Sequence, residues 1–557
     1  MPAALVAAGC AAASVAILAA KFFLAARINV NWDEFYFLSH VHDLARGELA
    51  LFLQGAYTHV FRWLASTGGD EMDQVLYGRL VMCALLAVAG VFTYALARLW
   101  VSRAAAAFAA MAVLVSWPVL KHGASFRADS ILLPLTLAAF WFALRGGRAG
   151  HRDAVVAGVM LGVAFVVTVK AVLLLPALVL MMALPDARRV MAGWQSLRTD
   201  AARIALMLAS AAVVSAALLW LHATQVVAVS EPAGEFALRT LAVSVLETPF
   251  MTRRDHFADL IGEDPVYWIA VLVGVLVAVR KRAFGAAAAV LCFVPLLFYR
   301  NAFAYFFPVM MAPAAVLVAI SLDWLLGVKH PRARGAALAA IAVAGFLLFQ
   351  NAWRGVATLR FDEQAGERAV VAAVHRVFAQ PVPYIDHSGM IASFPKANFF
   401  MSSWGVERYL RMGEDFMPRA LNGRCPPLLL VNHAVLSPGS LLYRQLRPTD
   451  RALLESSYMP YWGPLRVAGT AAVVAHGDSP SIRVPCSGRY RAVSSGGFQL
   501  NGRPVADGDV IELDASRSYQ LEATDAASDP VSVRLLWADA RDPPEEPPPR
   551  MPIYSPL

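Results

Sequence analysis

The chain has 557 residues, 58% of them hydrophobic and only 16% charged, a balance that excludes an ordinary soluble enzyme and places it with polytopic membrane proteins. Its net charge of +8 does not point to nucleic acid, because the basic residues punctuate apolar runs instead of clustering on a soluble face. Five cysteines are too few for a disulfide scaffold, and no His, Cys or carboxylate set has metal-ligand spacing.

Apolar runs of helix-spanning length recur at about 3–26, 77–97, 104–120, 130–145, 154–169, 171–185, 204–222, 266–279, 284–299, 305–327 and 336–353, giving about eleven transmembrane helices. The first run lacks a basic start and a small-residue cleavage site, so it reads as a retained helix. With the N-terminus inside, Arg98, Arg103, Arg145, Arg148, Arg152, Arg188, Arg189, Arg198, Arg203, Arg280, Lys281, Arg282, Lys329, Arg332 and Arg334 face the cytoplasm. The short outer loops keep only Lys121, Arg127, Lys170 and Arg300. Lys170 interrupts 154–185, which fits a short hairpin with the lysine at its outer turn, or a single tilted helix.

Just beyond the first run stands Asn31-Trp32-Asp33-Glu34-Phe35-Tyr36, an acidic pair where the helix leaves the bilayer on its outer side. A carboxylate between water and lipid has the setting of a raised-pKa general base, and Asp33 is equally placed to N-cap a following helix. The loop 28–76 carries apolar residues at helical spacing through Glu34–Ala45 and Tyr57–Leu64, as expected of two amphipathic helices on the outer membrane surface. A second outer loop, 223–265, contains Arg239, Glu247 and the cluster Thr252-Arg253-Arg254-Asp255-His256, read as solvated.

The runs divide the chain into a transmembrane domain 1–353, an outer α/β subdomain 354–478, a small β-sandwich-like module 479–540 and a Pro-rich disordered tail 541–557. In the subdomain, 362–380 reads as a helix, and Val382–Ile385 and Leu428–Val431 as buried strands. Asn501-Gly502 and Asp507-Gly508 are hairpin signals in the module. Tyr384-Ile385-Asp386-His387-Ser388 reads as a strand end and turn. Cys10, Cys83 and Cys292 read as packing residues, while Cys425 and Cys486 are both available to pair, subject to a geometry that sequence does not supply.

Four stretches together resemble the GT-C glycosyltransferases that use polyprenyl-phosphate sugars, a branch that includes dolichyl-phosphate-mannose protein mannosyltransferases and the lipid A aminoarabinose transferase. They are Asp33-Glu34-Phe35-Tyr36 with Asp43-Leu44-Ala45-Arg46-Gly47-Glu48, Arg79 through Arg98, Arg127-Ala128-Asp129 heading Ile131-Leu132-Leu133, and Gly162-Val163-Ala164-Phe165 with Thr168-Val169-Lys170 and Pro176. The resemblance covers roughly residues 1–330. Many bacterial members have Lys-Pro-Pro near the lipid phosphate where this chain has Tyr57-Thr58-His59-Val60, which leaves His59 as the substitute.

The resemblance implies an inverting transferase with Asp33 as base, Glu34 and Asp129 as further acidic site residues, and Lys170, Arg127, His59 and Tyr305 as donor contacts. For Asp129 a helix cap and for Arg127 and Lys170 a snorkelling interface cation are the competing readings; for Tyr305 it is membership of the aromatic belt. The implied partners are a polyprenyl-phosphate-linked sugar donor, a glycan, glycolipid or protein acceptor, and the bilayer, with no nucleic acid and no cofactor. A divalent ion bridging Asp33 and Asp129 has no support in the sequence. The implied location is a bacterial inner membrane with the C-terminal part periplasmic. A transporter or flippase, and an envelope assembly protein, are the rivals from other classes.

Overall fold

The computed structural model describes residues 3–145, 150–184, 194–227, 251, 253–361, 364–524, 530–550 and 553–554. Arg148, Arg188, Arg189, Arg239, Glu247 and Thr252 lie outside the described residues.

Every apolar run is helical. The helices are α1 (Ala3–Ala25), α2 (Trp32–Arg46), α3 (Tyr57–Phe61), α4 (Glu71–Ala97), α5 (Arg103–Leu114), α6 (Trp117–His122), α7 (Ala128–Arg145), α8 (His151–Val167), α9 (Leu175–Ala183) and α10 (Trp194–Ala223). They continue with α11 (Arg254–Glu263), α12 (Pro265–Arg280), α13 (Phe307–Leu326) and α14 (Pro331–Leu359). Among the described residues, six of these are long and apolar enough to cross a membrane alone, and α11 with α12 forms one further pair bent by 95°. The remaining runs are shorter or broken, and proline marks the breaks. Pro118 opens α6 after Ser116, Pro176 opens α9, and Pro295 interrupts the 284–298 segment, because the ring removes a donor and clashes with the preceding turn.

Two close helix crossings hold the membrane part together. A Cβ at Gly158 or Gly162 of α8 would stand 2.3 Å from Met207 O or 2.8 Å from Ala211 O of α10, and one at Gly274 of α12 would stand 2.0 Å from Leu317 O of α13. Small residues let helix backbones meet where lipid supplies no hydrophobic drive. Cations inside the spans bond helix-end carbonyls: Arg79 Nη1 donates to Ala25 O at 2.8 Å and Ile28 O at 2.7 Å, and Lys21 donates to Leu120 O.

The chain forms two compact units, and the first outer loop is shared between them. Met1–Ile28, Asp43–Leu64 and Leu76–Asp362 make the membrane unit; Asn29–His42, Ala65–Val75 and Glu363–Leu557 make the second. This corrects the expected undivided domain 1–353 and the expected surface helix. The apolar face of α2 is covered by the second unit's own protein: Phe35, Leu38 and Val41 are fully buried, Tyr36 stacks on Phe400 at 4.1 Å, and Trp32 meets His387 edge-on at 5.5 Å.

In the second unit the helix Ala365–Val377, here α15, precedes the strands β1 (Tyr384–Ile385), β2 (Leu428–Leu430), β3 (Tyr458–Trp462), β4 (Leu465–Val474), β5 (Ser481–Ile482) and β6 (Gly488–Ser494). They are followed by β7 (Phe498–Leu500), β8 (Arg503–Val505), β9 (Val510–Leu513), β10 (Tyr519–Ala523) and β11 (Val531–Trp537). One sheet runs β1-β2-β4-β11-β6-β9 with β3 on β4, and the other β5-β10-β7-β8. Val474, Tyr490, Val533 and Leu535 of the first meet Ile482, Phe498, Leu500 and Leu521 of the second in a shared core, so the sandwich is real. Its expected boundary at 479 falls inside a continuous sheet, because β11 pairs with both β4 and β6.

Asn501-Gly502 turns β7 into β8 with φ of 49° and 75° at the two residues. Asp507-Gly508 is not a hairpin: it carries the chain from β8 in one sheet to β9 in the other, since a turn needs only positive φ at Gly508 and does not choose the partner strand. Cys425 and Cys486 form a disulfide, whereas Cys10, Cys83 and Cys292 are free and buried. Residues 541–550 are extended but docked where disorder is expected: Trp462 Nε1 donates to Glu546 O at 3.0 Å, and beyond them Ile553 and Tyr554 are buried.

Candidate active site

In the membrane unit the chain makes a break and fills it with charge. α8 ends at Thr168, whose extended backbone starts the 3₁₀ turn Val169–Leu174, and this turn carries Lys170 inward. Lys170 Nζ bonds Asp129 Oδ1 at 2.7 Å, in the first turn of α7. Arg127 Nε lies 3.8 Å from Asp129 Oδ2, and its guanidinium sits over the Tyr305 ring at 3.5 Å. Lys170 also faces Tyr305 at 4.7 Å and Phe306 at 5.5 Å.

All three charged residues are at most 9% exposed. Two cations thus face one carboxylate in a buried, aromatic-walled place, where burying charge is costly unless it is paired. Cations held there are suited to an anion, and the aromatic faces reinforce their orientation. Asp129, expected as an acid of the reaction, turns its oxygens to Lys170 and Arg127.

His59 is engaged elsewhere. Its Nε2 lies 2.8 Å from His222 Nδ1, and His222 Nε2 lies 3.0 Å from Leu51 O. A carbonyl only accepts, so His222 carries its proton on Nε2 and His59 donates to Nδ1. Burial, with His222 and Arg62 nearby, lowers the His59 pKa. His59, expected as a phosphate contact, forms a histidine pair that ties α3 to the end of α10. The first loop reaches the Lys170 turn through Gln54 instead, whose Oε1 lies 3.4 Å from Thr168 Oγ1.

Asp33 and Glu34 belong to the second unit, at the start of α2. Asn31 is the N-cap: its Oδ1 accepts from Asp33 N at 2.9 Å, and Glu34 Oε2 accepts from Asn31 N at 3.0 Å. This is a reciprocal capping box, so capping falls to Asn31 and Glu34, not to Asp33. The pattern Asn31-x-x-Glu34 is a sequence signal for it. Behind α2, the turn after β1 encloses more than a turn needs. Asp386, fully buried, accepts from Gly389 N at 2.8 Å, Met390 N at 2.9 Å, Lys396 Nζ at 2.7 Å and Asn432 Nδ2 at 3.1 Å. Burial raises the Asp386 carboxyl, but Lys396 and the backbone donors outweigh it and hold it below the usual aspartate value. His387 stacks on His433 at 3.9 Å, and burial with that neighbour lowers its pKa far below the ordinary one.

Residues 60–220 match the family described as dolichyl-phosphate-mannose-protein mannosyltransferase, and this stretch contains Arg127, Asp129 and Lys170. The oligosaccharyltransferase of Archaeoglobus fulgidus in its apo form is similar in structure over 94% of this chain and 94% of that chain, with a TM-score of 0.55 and 10% identity. The chain has the GT-C glycosyltransferase fold. The same GT-C arrangement is found in the archaeal oligosaccharyltransferase AglB from Archaeoglobus fulgidus in complex with an inhibitory peptide and a dolichol-phosphate, at a TM-score of 0.55, 11% identity and coverage of 93% of this chain and 95% of that chain. It is found again in the Archaeoglobus fulgidus enzyme's complex with Zn and sulfate, at 0.51, 11%, 92% and 96%. No curated protein sequence matches the chain. Among the described residues no group of three His, Cys, Asp or Glu side chains is placed to hold a metal ion. With an ammonium and a guanidinium on Asp129, the residues of the cluster do not fit one.

Proposed function

We propose that this protein is an inverting glycosyltransferase that moves a sugar from a polyprenyl-phosphate carrier to a hydroxyl acceptor on the outer side of a bacterial inner membrane. The observation that carries the reading is the buried cluster in which Lys170 and Arg127 both face the carboxylate of Asp129 beside Tyr305. A phosphate diester carries a negative charge and gains more as the sugar leaves, so cations placed against it bind the leaving group most strongly in the transition state. Asp129 holds Lys170 in place.

Asp33 takes the proton of the acceptor hydroxyl. The acceptor oxygen attacks the sugar C1, the bond from C1 to the phosphate oxygen breaks, and the electron pair stays on the phosphate. One displacement inverts the anomeric centre. The acceptor in this reading is a lipid A or other cell-envelope glycan, with the second unit on the periplasmic side, where its Cys425–Cys486 disulfide suits an oxidising compartment. A protein acceptor is the second reading, favoured by the description of the matched family and by the peptide named in the AglB complex.

The test is transfer of label from radiolabelled polyprenyl-phosphate sugars in membranes, comparing wild type with Asp33→Asn and separating lipid, polysaccharide and protein fractions. Label moved by wild type and not by stably inserted Asp33→Asn supports the base assignment, and the labelled fraction names the acceptor. Equal transfer by both removes Asp33 from the mechanism.

A further inference from the structure

Residues 541–550 and 553–554 do more than trail across the second unit. Their Trp462–Glu546 bond is followed by a close passage at Gly463, where a Cβ would stand 2.4 Å from Pro548 Cβ. Beyond it Tyr554 is buried to 4% exposure. The Tyr554 hydroxyl takes two partners from the core, Ser388 Oγ at 2.9 Å and Asn432 Nδ2 at 3.1 Å. Asn432 is itself bonded to the buried Asp386 carboxylate. The ring meets Trp32 edge-on at 6.0 Å and lies 6.3 Å from that of Phe35. Trp32 and Phe35 flank Asp33 and Glu34 on the first turn of α2.

The geometry points to Tyr554 as a positioning residue that clasps the first turn of α2 and fixes the direction of Asp33. This inference rests on the reading of Asp33 as the base. A ring in van der Waals reach of both flanking aromatics, pinned at its far end by two hydrogen bonds to a saturated polar network, removes the freedom of the turn to roll. Helix starts fray readily, and a base must hold its aim to within a fraction of an ångström. The capping box fixes the backbone of the turn; the clasp fixes which way the turn faces.

The experiment is hydrogen exchange on the full chain in detergent, comparing wild type, Tyr554→Ala and Tyr554→Phe, together with the kinetics of label transfer. Exchange of the amides in 32–39 is expected to rise about tenfold or more in Tyr554→Ala, with β4, β6 and β11 unchanged, and to stay within about threefold of wild type in Tyr554→Phe, which keeps the ring. Transfer by Tyr554→Ala is expected to show a lowered kcat with the KM for the lipid donor unchanged, and Tyr554→Phe to recover most of it. Unchanged exchange over 32–39 in Tyr554→Ala overturns the clasp. If that variant also loosens the strands, Tyr554→Leu, which fills part of the space but has neither the ring nor the hydroxyl, decides: a rise confined to 32–39 supports the clasp and no rise overturns it. A wild type without transferase activity removes the functional reading, while the exchange comparison still decides whether Tyr554 holds α2.

Discussion

Buried carboxylates in the two units keep different partners. In the second unit three deeply buried acids are each held by several donors, a backbone N–H among them. Asp386 has two backbone N–H groups, an ammonium and an amide; Asp450 has Tyr409 Oη at 2.6 Å and Met417 N at 2.8 Å; Glu71 has Ser393 N at 3.0 Å and His375 Nε2 at 2.7 Å. In the membrane unit Asp129 faces two cations, Lys170 and Arg127. Backbone donors fix a carboxylate in the fold, whereas charged side chains gathered at one place are also suited to meet a ligand of the opposite sign. At the start of α2, Glu34 closes the capping box with Asn31.

This contrast is broken or sharpened by substitutions on each side. Asp33→Asn is expected to lower the transfer rate by roughly a hundredfold or more, as loss of a general base does, with the capping box of Asn31 and Glu34 kept. Lys170→Met is expected to cost about a hundredfold in rate, the scale of losing one preorganised charge at the leaving group, measured as initial rates with saturating acceptor. Reduction of Cys425–Cys486, or Cys486→Ser, opens a loop spanning 61 residues and is expected to cost the second unit about 4 kcal/mol, read by denaturant unfolding. Glu34→Ala is expected to cost about 1 kcal/mol of stability, with transfer falling far less than in Asp33→Asn.

The smallest effect is a pH dependence. His375 is held above its ordinary value, first by its hydrogen bond to Glu71 and, against the opposing burial, by the charges of Glu71 and Asp70. A raised folded pKa means that the stability it contributes is fully present below the unfolded value of about 6.5 and is lost as pH rises through the higher folded value. Partial exposure keeps this below about 1 kcal/mol. The gap in unfolding temperature between wild type and His375→Gln should therefore close between pH 6 and pH 9; a gap constant across that range contradicts the pairing.

The fold was legible because the membrane imposes it. Long apolar runs have little choice but to become helices, and the prolines that break them stand in the sequence at Pro118, Pro176 and Pro295. Positions set by tertiary partners were less legible. Arg127, Asp129, Lys170 and Tyr305 come together from three separate segments, and their order along the chain does not state that Lys170 meets Asp129. His59 gave no sign of its partner, because His222 lies more than a hundred and sixty positions away at the end of an apolar helix. Amphipathic spacing marked α2 as half-buried without telling lipid from protein, and its cover, Tyr554 and Phe400, comes from far downstream. A Pro-rich composition likewise describes an extended chain and is silent on whether one tyrosine within it is anchored.

The central claim is that the buried cations Lys170 and Arg127 form a seat for a lipid phosphate. The direct measurement is binding of a sugar-free polyprenyl phosphate to the purified protein in detergent, comparing wild type with Lys170→Met and Asp129→Asn over a range of salt. The account predicts binding by wild type, at least about tenfold weaker binding by Lys170→Met, and no loss of phosphate affinity in Asp129→Asn, which removes a negative charge beside the seat. Equal binding by wild type and Lys170→Met, or a loss confined to Asp129→Asn, would contradict it.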